Sequence, residues 1–323
     1  MCAKYAAPWG RNSNRGTVRR PYRSVQYLVN KLRRGQVGCL KRGTYVGDVS
    51  FYRGDVTLRS VFGVRARIRG YLRITDEANH VTVSRIVIDG HDAGPITLHV
   101  YGDDAVLTRL EVTNRHKLNE TNRGSCILLG QVTMPTFRPV ISRSRIHACG
   151  GGNGGHDHGI YAEFSRGAVI RNNYIYDNPG YGISMYPSAQ NSLIAHNVID
   201  GNGRENRGNL TFSGEEAGGE YAQSFASSNN RVQWNIITNA QARYNVESYF
   251  PELQPEGNVV EHNCVWRAPW GNFGYTDGYA RRRNRSVNPL FAARGAADFT
   301  LRRGSPCARM GPLKGLRPPP SLY

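Results

Sequence analysis

The sequence predicts an all-β fold, a parallel β-solenoid of one repeating coil, and three observations carry that reading. The first is a phrase that recurs four times: Ile170-Arg-Asn-Asn173-Tyr-Ile175, Ile194-Ala-His-Asn197-Val-Ile199, Val232-Gln-Trp-Asn235-Ile-Ile237 and Val260-Glu-His-Asn263-Cys-Val265. Each copy sets an aliphatic residue, an Asn three positions later and an aliphatic two after that. Weaker copies without the Asn span Val83 to Ile88, Leu107 to Val112 and Ile141 to Ile146. The second is spacing. The closing aliphatic falls at residues 88, 112, 146, 175, 199, 237 and 265, at intervals of 24, 34, 29, 24, 38 and 28. A shared minimum with variable excess describes one coil plus loops of different length. The third is a second strand before each strong phrase: Ile160–Glu163, Ile183–Tyr186, Leu210–Ser213 and Val246–Tyr249.

Each element follows from local chemistry. Ile and Val, broken by polar residues every one or two positions, favour short strands over helices. Gly and Asn gather between the strands, where turns need them. The recurring Asn suits a left-handed turn position, and its amide can bond to the Asn one coil away to form a ladder. Asn at a turn is ordinarily structural, so no ligand role is assigned to it. A coil stack has apolar ends that need covers. Val25, Leu28, Val29 and Leu32 fall at helical spacing, so the segment from Tyr22 to Arg34 reads as an amphipathic cap helix on the first coil. A membrane-surface helix fits that stripe less well.

Length and composition suit one elongated domain. The chain has 323 residues, of which 39% are hydrophobic, enough for a narrow continuous core. The expected division is a single β-helix domain over 1–311, with a cap and opening segment (1–50), coils (51–285) and a closing segment (286–311). An extended tail over 312–323 follows, with three consecutive prolines. A monomer is expected. No apolar run approaches the length of a membrane span. No charged start followed by an apolar stretch marks a signal peptide; Met1 directly before Cys2 fits a start that replaces a removed leader. Six cysteines permit 15 complete pairings. Their places in the repeat frame narrow these to Cys2–Cys39, Cys126–Cys149 and Cys264–Cys307, a set suited to an oxidising compartment and so to a secreted or cell-surface protein. No CxxC pair points to a thiolate zinc site.

The segment His158-Gly-Ile-Tyr-Ala-Glu163 through Asn202 resembles the right-handed parallel β-helix repeat of the pectate-lyase-like superfamily. Gly16-Thr17, Pro21-Tyr22, Val25-Gln26 and Gly43-Thr44-Tyr45 resemble the opening of secreted bacterial members. Asn288-Pro-Leu-Phe291, Asp298-Phe-Thr-Leu301 and Ser305-Pro-Cys307 resemble their closing segment. The resemblance spans about residues 3–311. It is specific for fold and leaves the reaction open, because one fold hosts many activities.

Alternation along the second strand of each coil sorts its residues into core and surface. Ile160, Ala162, Ile183, Met185 and Val246 face in. Tyr161, Glu163, Ser184, Tyr186, Thr211, Ser213, Glu247 and Tyr249 then form one outward strip, the candidate site. Tyr faces stack on sugar rings, and carboxylates accept hydroxyl hydrogen bonds. The longer inserts are expected to wall this strip. They carry Asn114-Arg-His116-Lys117, the Gly-rich run Gly150 to Gly155 followed by His156-Asp157-His158, and Glu215, Glu216 and Glu220.

The His156-Asp157-His158 cluster suits proton transfer, metal binding or hydrogen bonding at a loop–strand junction. A metal site would need further ligands from elsewhere, so the metal stays unknown. The resemblance implies proton abstraction beside a uronate carboxylate, as in lyases and epimerases. The candidate bases are then His158, Lys117 and Tyr161, with Lys117 or a nearby Arg neutralising the substrate. His156, Asp157 and Glu163 complete the catalytic candidates; Tyr186, Glu247, Tyr249, Ser184 and His116 are the substrate-binding ones. Some relatives use calcium, but no dense Asp/Glu set marks a calcium loop here. Glu163 and Glu247 permit a glycoside hydrolase reading, though they stand about three coils, or ~14 Å, apart. The net charge of +18, from 42 basic and 24 acidic residues, favours a polyanionic partner. With the fold resemblance, that partner is an acidic polysaccharide. Nucleic acid ranks below it, since no helix-turn-helix or zinc finger is present. A non-catalytic glycan-binding or surface module is the alternative to an enzyme.

Overall fold

A computed structural model describes residues 1–91, 94, 96–114, 124–150 and 156–321. The repeated phrase proves to hold two strands and a corner. In the coil that begins at residue 169, Val169–Arg171 lies in a first sheet, Tyr174–Tyr176 in a second and Ile183–Gln190 in a third. Eleven parallel strands build the first sheet and nine the second. The third follows a nine-strand path with two short strands paired at its side.

The intervals read from the sequence are the coil lengths. Ile88, Val112, Ile146, Ile175, Ile199, Ile237 and Val265 pair in that order along the second sheet. Leu107, Ile141, Ile170, Ile194, Val232 and Val260 pair along the first. Ile160, Ile183, Leu210 and Val246 do so along the third. These columns meet inside as a continuous core from which water is excluded. Burial of such aliphatic columns contributes most of the drive to coil up, at roughly 25 cal/mol per Å² of apolar surface.

The Asn residues form the expected ladder. Asn173 donates to Asn197 (3.0 Å), Asn197 to Asn235 (2.9 Å), Asn235 to Asn263 (3.0 Å) and Asn263 to Asn284 (3.0 Å), each from Nδ2 to Oδ1. Each also donates to a main-chain carbonyl of the preceding coil, as Asn197 does to Ile170 (2.8 Å). The conformational part of the expectation needs correction. The left-handed residue is the one before the ladder Asn: Asn172, His196, Trp234 and His262 all have φ between 55° and 58°. The turn bends one residue early so that the Asn side chain can point inward along the stack. A second ladder runs through Asn178, Asn202, Asn209, Asn245 and Asn272 between the second and third sheets.

The cap helix is shorter than its apolar stripe suggests. It spans Val25–Asn30, with Ser24 Oγ accepting from the Tyr27 amide. Leu32 lies past its end yet is buried with Val25, Leu28 and Val29 against the first coil. The stack begins earlier than the expected residue 51, because Lys4–Ala6 pairs with Val37–Leu40. At the far end Tyr279 stacks on Phe212 (5.4 Å between ring centres) and closes the core.

The last segment turns back along the outer face of the second sheet. Phe291, Phe299, Cys307 and Met310 pack there on Tyr174, Val198, Ile236 and Cys264. The proline-rich tail continues toward the N-terminal coils. Leu313 N donates to Asn172 Oδ1 (3.0 Å), and Arg145 Nε donates to the Pro319 carbonyl (2.7 Å). Disulfides join Cys2 to Cys39, Cys126 to Cys149 and Cys264 to Cys307. No helix among the described residues is long and apolar enough to cross a membrane.

Candidate functional site

The outer face of the third sheet carries a cleft of about 350 Å³. Strand register places Tyr161, Ser184, Thr211 and Glu247 in one row across successive coils. Ser213 and Tyr249 lie in the next row, two residues along. A β-bulge in the pairing between Ala162 and Phe164 sets Glu163 against the Tyr186-Pro187 stretch. Bulges of this kind re-aim side chains beside sites.

The strip faces outward, as alternation requires, but it is not an open surface. Tyr161, Glu163, Ser184, Thr211, Ser213 and Glu247 are all buried, and only Tyr249 is well exposed. The insert after residue 213 covers one side. Its Tyr221 hydroxyl donates to Glu163 Oε1 (3.0 Å), and its Glu215 accepts from the Tyr186 hydroxyl. Burial, with the charge of Glu220 nearby, raises the Glu163 carboxyl to about 7 against the Tyr221 hydrogen bond. The Tyr161, Tyr186 and Tyr221 hydroxyls are pushed up, first by burial.

The other end of the cleft holds Tyr181, Arg207, Arg243 and Glu247. The Tyr181 hydroxyl donates to Glu247 Oε1 (2.5 Å). Arg243 Nε stands 3.2 Å from Glu247 Oε2 as an ion pair, off the hydrogen-bond direction. Arg207 lies over the Tyr181 ring, 5.9 Å from its centre. Burial raises the Glu247 carboxyl, opposed by Tyr181 and by both arginines. It also pushes the Tyr181 phenol up, with the Glu247 charge adding to the effect.

The histidines divide. His158 is buried, and its Nδ1 accepts from the Tyr181 amide (3.0 Å). Gly180 permits that approach, since a Cβ there would meet Nδ1 at 2.5 Å. Burial, then the charges of His156 and Arg207, hold His158 well below its usual range. The ring is therefore neutral, and the hydrogen bonding assigns its proton to Nε2. His156 lines the cleft and stacks beside His158 (6.1 Å between ring centres). Asp157 is turned away, with Oδ1 accepting from the Gly124 amide (2.6 Å).

Of the expected site residues, the cleft gathers His156, His158, Tyr161, Ser184, Tyr186, Glu247 and Tyr249. Glu163 lies beneath Tyr221, while His116 and Lys117 fall outside the described residues. Glu220, named among the insert residues expected to wall the strip, lines the cleft, whereas sequence reasoning missed Tyr181, Arg207 and Arg243. They sit in turns and inserts, where strand alternation assigns no direction. Tyr181 alone left a trace, in the turn Asn178-Pro-Gly-Tyr181-Gly just before its strand. Among the described residues no group of three metal-ligating side chains stands together, and Glu163, Glu215 and Glu247 are each taken by a tyrosine. This arrangement does not fit calcium.

No curated protein matches the chain. Solved structures do. A pectate lyase, Pel9A, is 12% identical with a TM-score of 0.60, the alignment covering 95% of this chain and 91% of that one. An alginate lyase from Paenibacillus sp. str. FPU-7 is 15% identical with a TM-score of 0.56, covering 79% of this chain and 96% of that one. A GH136 lacto-N-biosidase from Eubacterium ramulus is 11% identical with a TM-score of 0.59, covering 88% of this chain and 68% of that one. At such identities the likeness concerns the fold. The model of the right-handed β-helix region matches residues 72–269, more than half of the sequence and every coil that builds the cleft, and the chain belongs to that family.

Proposed function

We propose that this protein is a secreted or cell-surface carbohydrate-active enzyme that acts on an acidic polysaccharide by removing the proton beside a uronate carboxylate. The observation that carries this reading is the Tyr181–Glu247 hydrogen bond between Arg207 and Arg243 at one end of the cleft. Proton removal next to a carboxylate builds negative charge on that carboxylate, and two guanidinium groups would stabilise it as it forms. A phenol pushed up by burial is a poor base alone. Bonded to Glu247, it can accept the sugar proton on oxygen while its own proton passes to the carboxylate. Glu247, itself raised by burial, then holds that proton for the leaving oxygen in a lyase, or for return to the opposite face in an epimerase. Tyr161, Tyr186 and Tyr249 supply faces for neighbouring sugar rings. Three disulfides and the basic balance agree with an extracellular polyanionic substrate.

Incubation with a panel of polyuronides tests the reading. The expected result is an unsaturated product absorbing in the ultraviolet, or a changed uronate composition. No such change on any member would overturn it.

A second reading has its own observation. Glu163, its carboxyl raised to about 7 beneath Tyr221, has the protonation a glycosidase acid needs, and Glu220, whose charge reaches it, lines the adjoining cleft as a partner carboxylate. One structural neighbour is a lacto-N-biosidase. New reducing ends without unsaturation, lost in Glu163→Gln, would select this reading over the first.

A further inference from the structure

A larger cleft, about 490 Å³, lies away from the third sheet, at the corner that joins the first and second sheets. Its lining includes Arg42, Arg65, Arg85, Arg109 and Pro319 of the tail. Arg85, Arg109 and Arg143 follow the paired residues Ser84, Thr108 and Ser142, so they occupy the same position in three consecutive coils. That spacing is ~4.8 Å per coil, about the length of one sugar unit.

Charge sets these arginines apart. All three are left-handed, with φ of 58°, 53° and 53°, but so are Asn172, His196, Trp234 and His262 at the same corner downstream, so the conformation belongs to the coil. The arginines alone stack like charges there. Burial, then the charges of Arg143 and Arg85, lowers Arg109. Among the described residues no carboxylate lies within ion-pair distance of Arg42, Arg85, Arg109 or Arg143; the tail-facing Arg65 is paired, with Glu111 (2.9 Å). A row of like charges is most stable with an anion across it.

We propose that this corner is a second, non-catalytic binding site for a linear polyuronate, with successive sugar carboxylates held by Arg85 and Arg109 and the flanking loop Arg42. The choice of uronate rests on the proposed function. Guanidinium forks match carboxylates, one per coil. A single-stranded nucleic acid would need successive aromatic faces for its bases; the cleft lining contains none, and the row has one exposed ring beside it, Phe62, 5.8 Å from the Arg85 guanidinium. The site would hold a long chain on the protein while the third-sheet cleft works on it, raising the local concentration of substrate.

The test uses the full chain and the double variant Arg85→Asn with Arg109→Asn, since Asn is at ease in this turn. The probes are polygalacturonate and alginate, with single-stranded DNA as the competing polyanion. Polyuronate binding at low salt is expected to weaken at least tenfold, with a shallower salt dependence, while conversion of short oligomers is unchanged. Arg42→Gln, on an exposed loop, is expected to weaken binding severalfold and serves if the double variant fails to fold. Unchanged polyuronate binding in the variants would overturn the proposal. So would a wild type that prefers single-stranded DNA and loses that preference in the variants. A wild type that binds polyuronate without converting it, and loses the binding in the variants, would leave this site standing and remove the catalytic reading.

Discussion

The Asn corner and the outer face of the third sheet stack residues at the same coil spacing, yet they differ in every other respect. At the corner the same residue recurs, and each amide is satisfied by the coils before and after it. On the third sheet the row changes at each step, from Tyr161 to Ser184 to Thr211 to Glu247. Its carboxylates find partners in inserts and turns, as Glu163 does in Tyr221 and Glu247 in Tyr181 and Arg243. A uniform row spends its hydrogen bonds on the fold. A varied row, closed by groups from outside the repeat, keeps titratable groups that a substrate can engage.

That contrast breaks most visibly at Tyr181. Tyr181→Phe keeps the ring beside Arg207 and removes only the hydroxyl that Glu247 accepts. If proton transfer runs through this pair, kcat on the responsive polyuronide falls about 10²–10⁴-fold while KM changes little. Thermal unfolding should stay near wild type. A fall in stability with kcat unchanged would move Tyr181 to the structural side of the comparison.

The converse holds at Asn197. Its side chain donates to Ile170 O and Asn235, and accepts from the amide and side chain of Asn173. Asn197→Ala strands buried donors and acceptors on both neighbouring coils, at a cost of about 2–4 kcal/mol. Chemical denaturation should show that loss, with KM for substrate unchanged in the fraction that remains folded. Loss of substrate binding without loss of stability would mean that the ladder does more than hold coils together.

Glu163 sharpens the comparison through pH. Its carboxyl is raised from 4.5 to about 7, chiefly by burial. Between those values the folded state binds more protons than the unfolded chain, so its contribution is present below about 4.5 and fades as pH rises toward 7. Wild-type stability should therefore decline across that window by an amount on the order of 3 kcal/mol. Glu163→Gln should flatten the decline, as read from denaturant midpoints at several pH values. An equal slope in both proteins would show that Glu163 is not held in the raised state.

The two regions were also unequally legible. The coil frame could be read because each aliphatic column must face the core at a fixed place, so Ile146, Ile175, Ile199, Ile237 and Val265 announce themselves by spacing. Strand alternation likewise gave the direction of Tyr161, Ser184 and Glu247. It did not give their burial, which comes from inserts folding over the strip. The left-handed residue was misplaced by one because Asn is at ease in that conformation, while here it is held by its side-chain bonds and His196, Trp234 and His262 take the turn. Tyr181, Arg207 and Arg243 lie in irregular segments where no period constrains direction. Only three-dimensional closure brings Tyr181 and Glu247 together across 66 residues.

Tyr249 gives the smallest effect and marks where the varied row meets solvent. It lines the cleft, yet 67% of its surface is exposed, the most of any residue in the strip. A ring that stacks on a sugar from the rim contributes about 0.5–1.5 kcal/mol. Tyr249→Ala should therefore raise KM roughly two- to tenfold with kcat nearly constant, and Tyr249→Phe should restore it, because the face and not the hydroxyl makes the contact. If Tyr249→Phe is as impaired as Tyr249→Ala, the hydroxyl is the recognised group, and the rim of the cleft works by hydrogen bonding like the buried rows behind it.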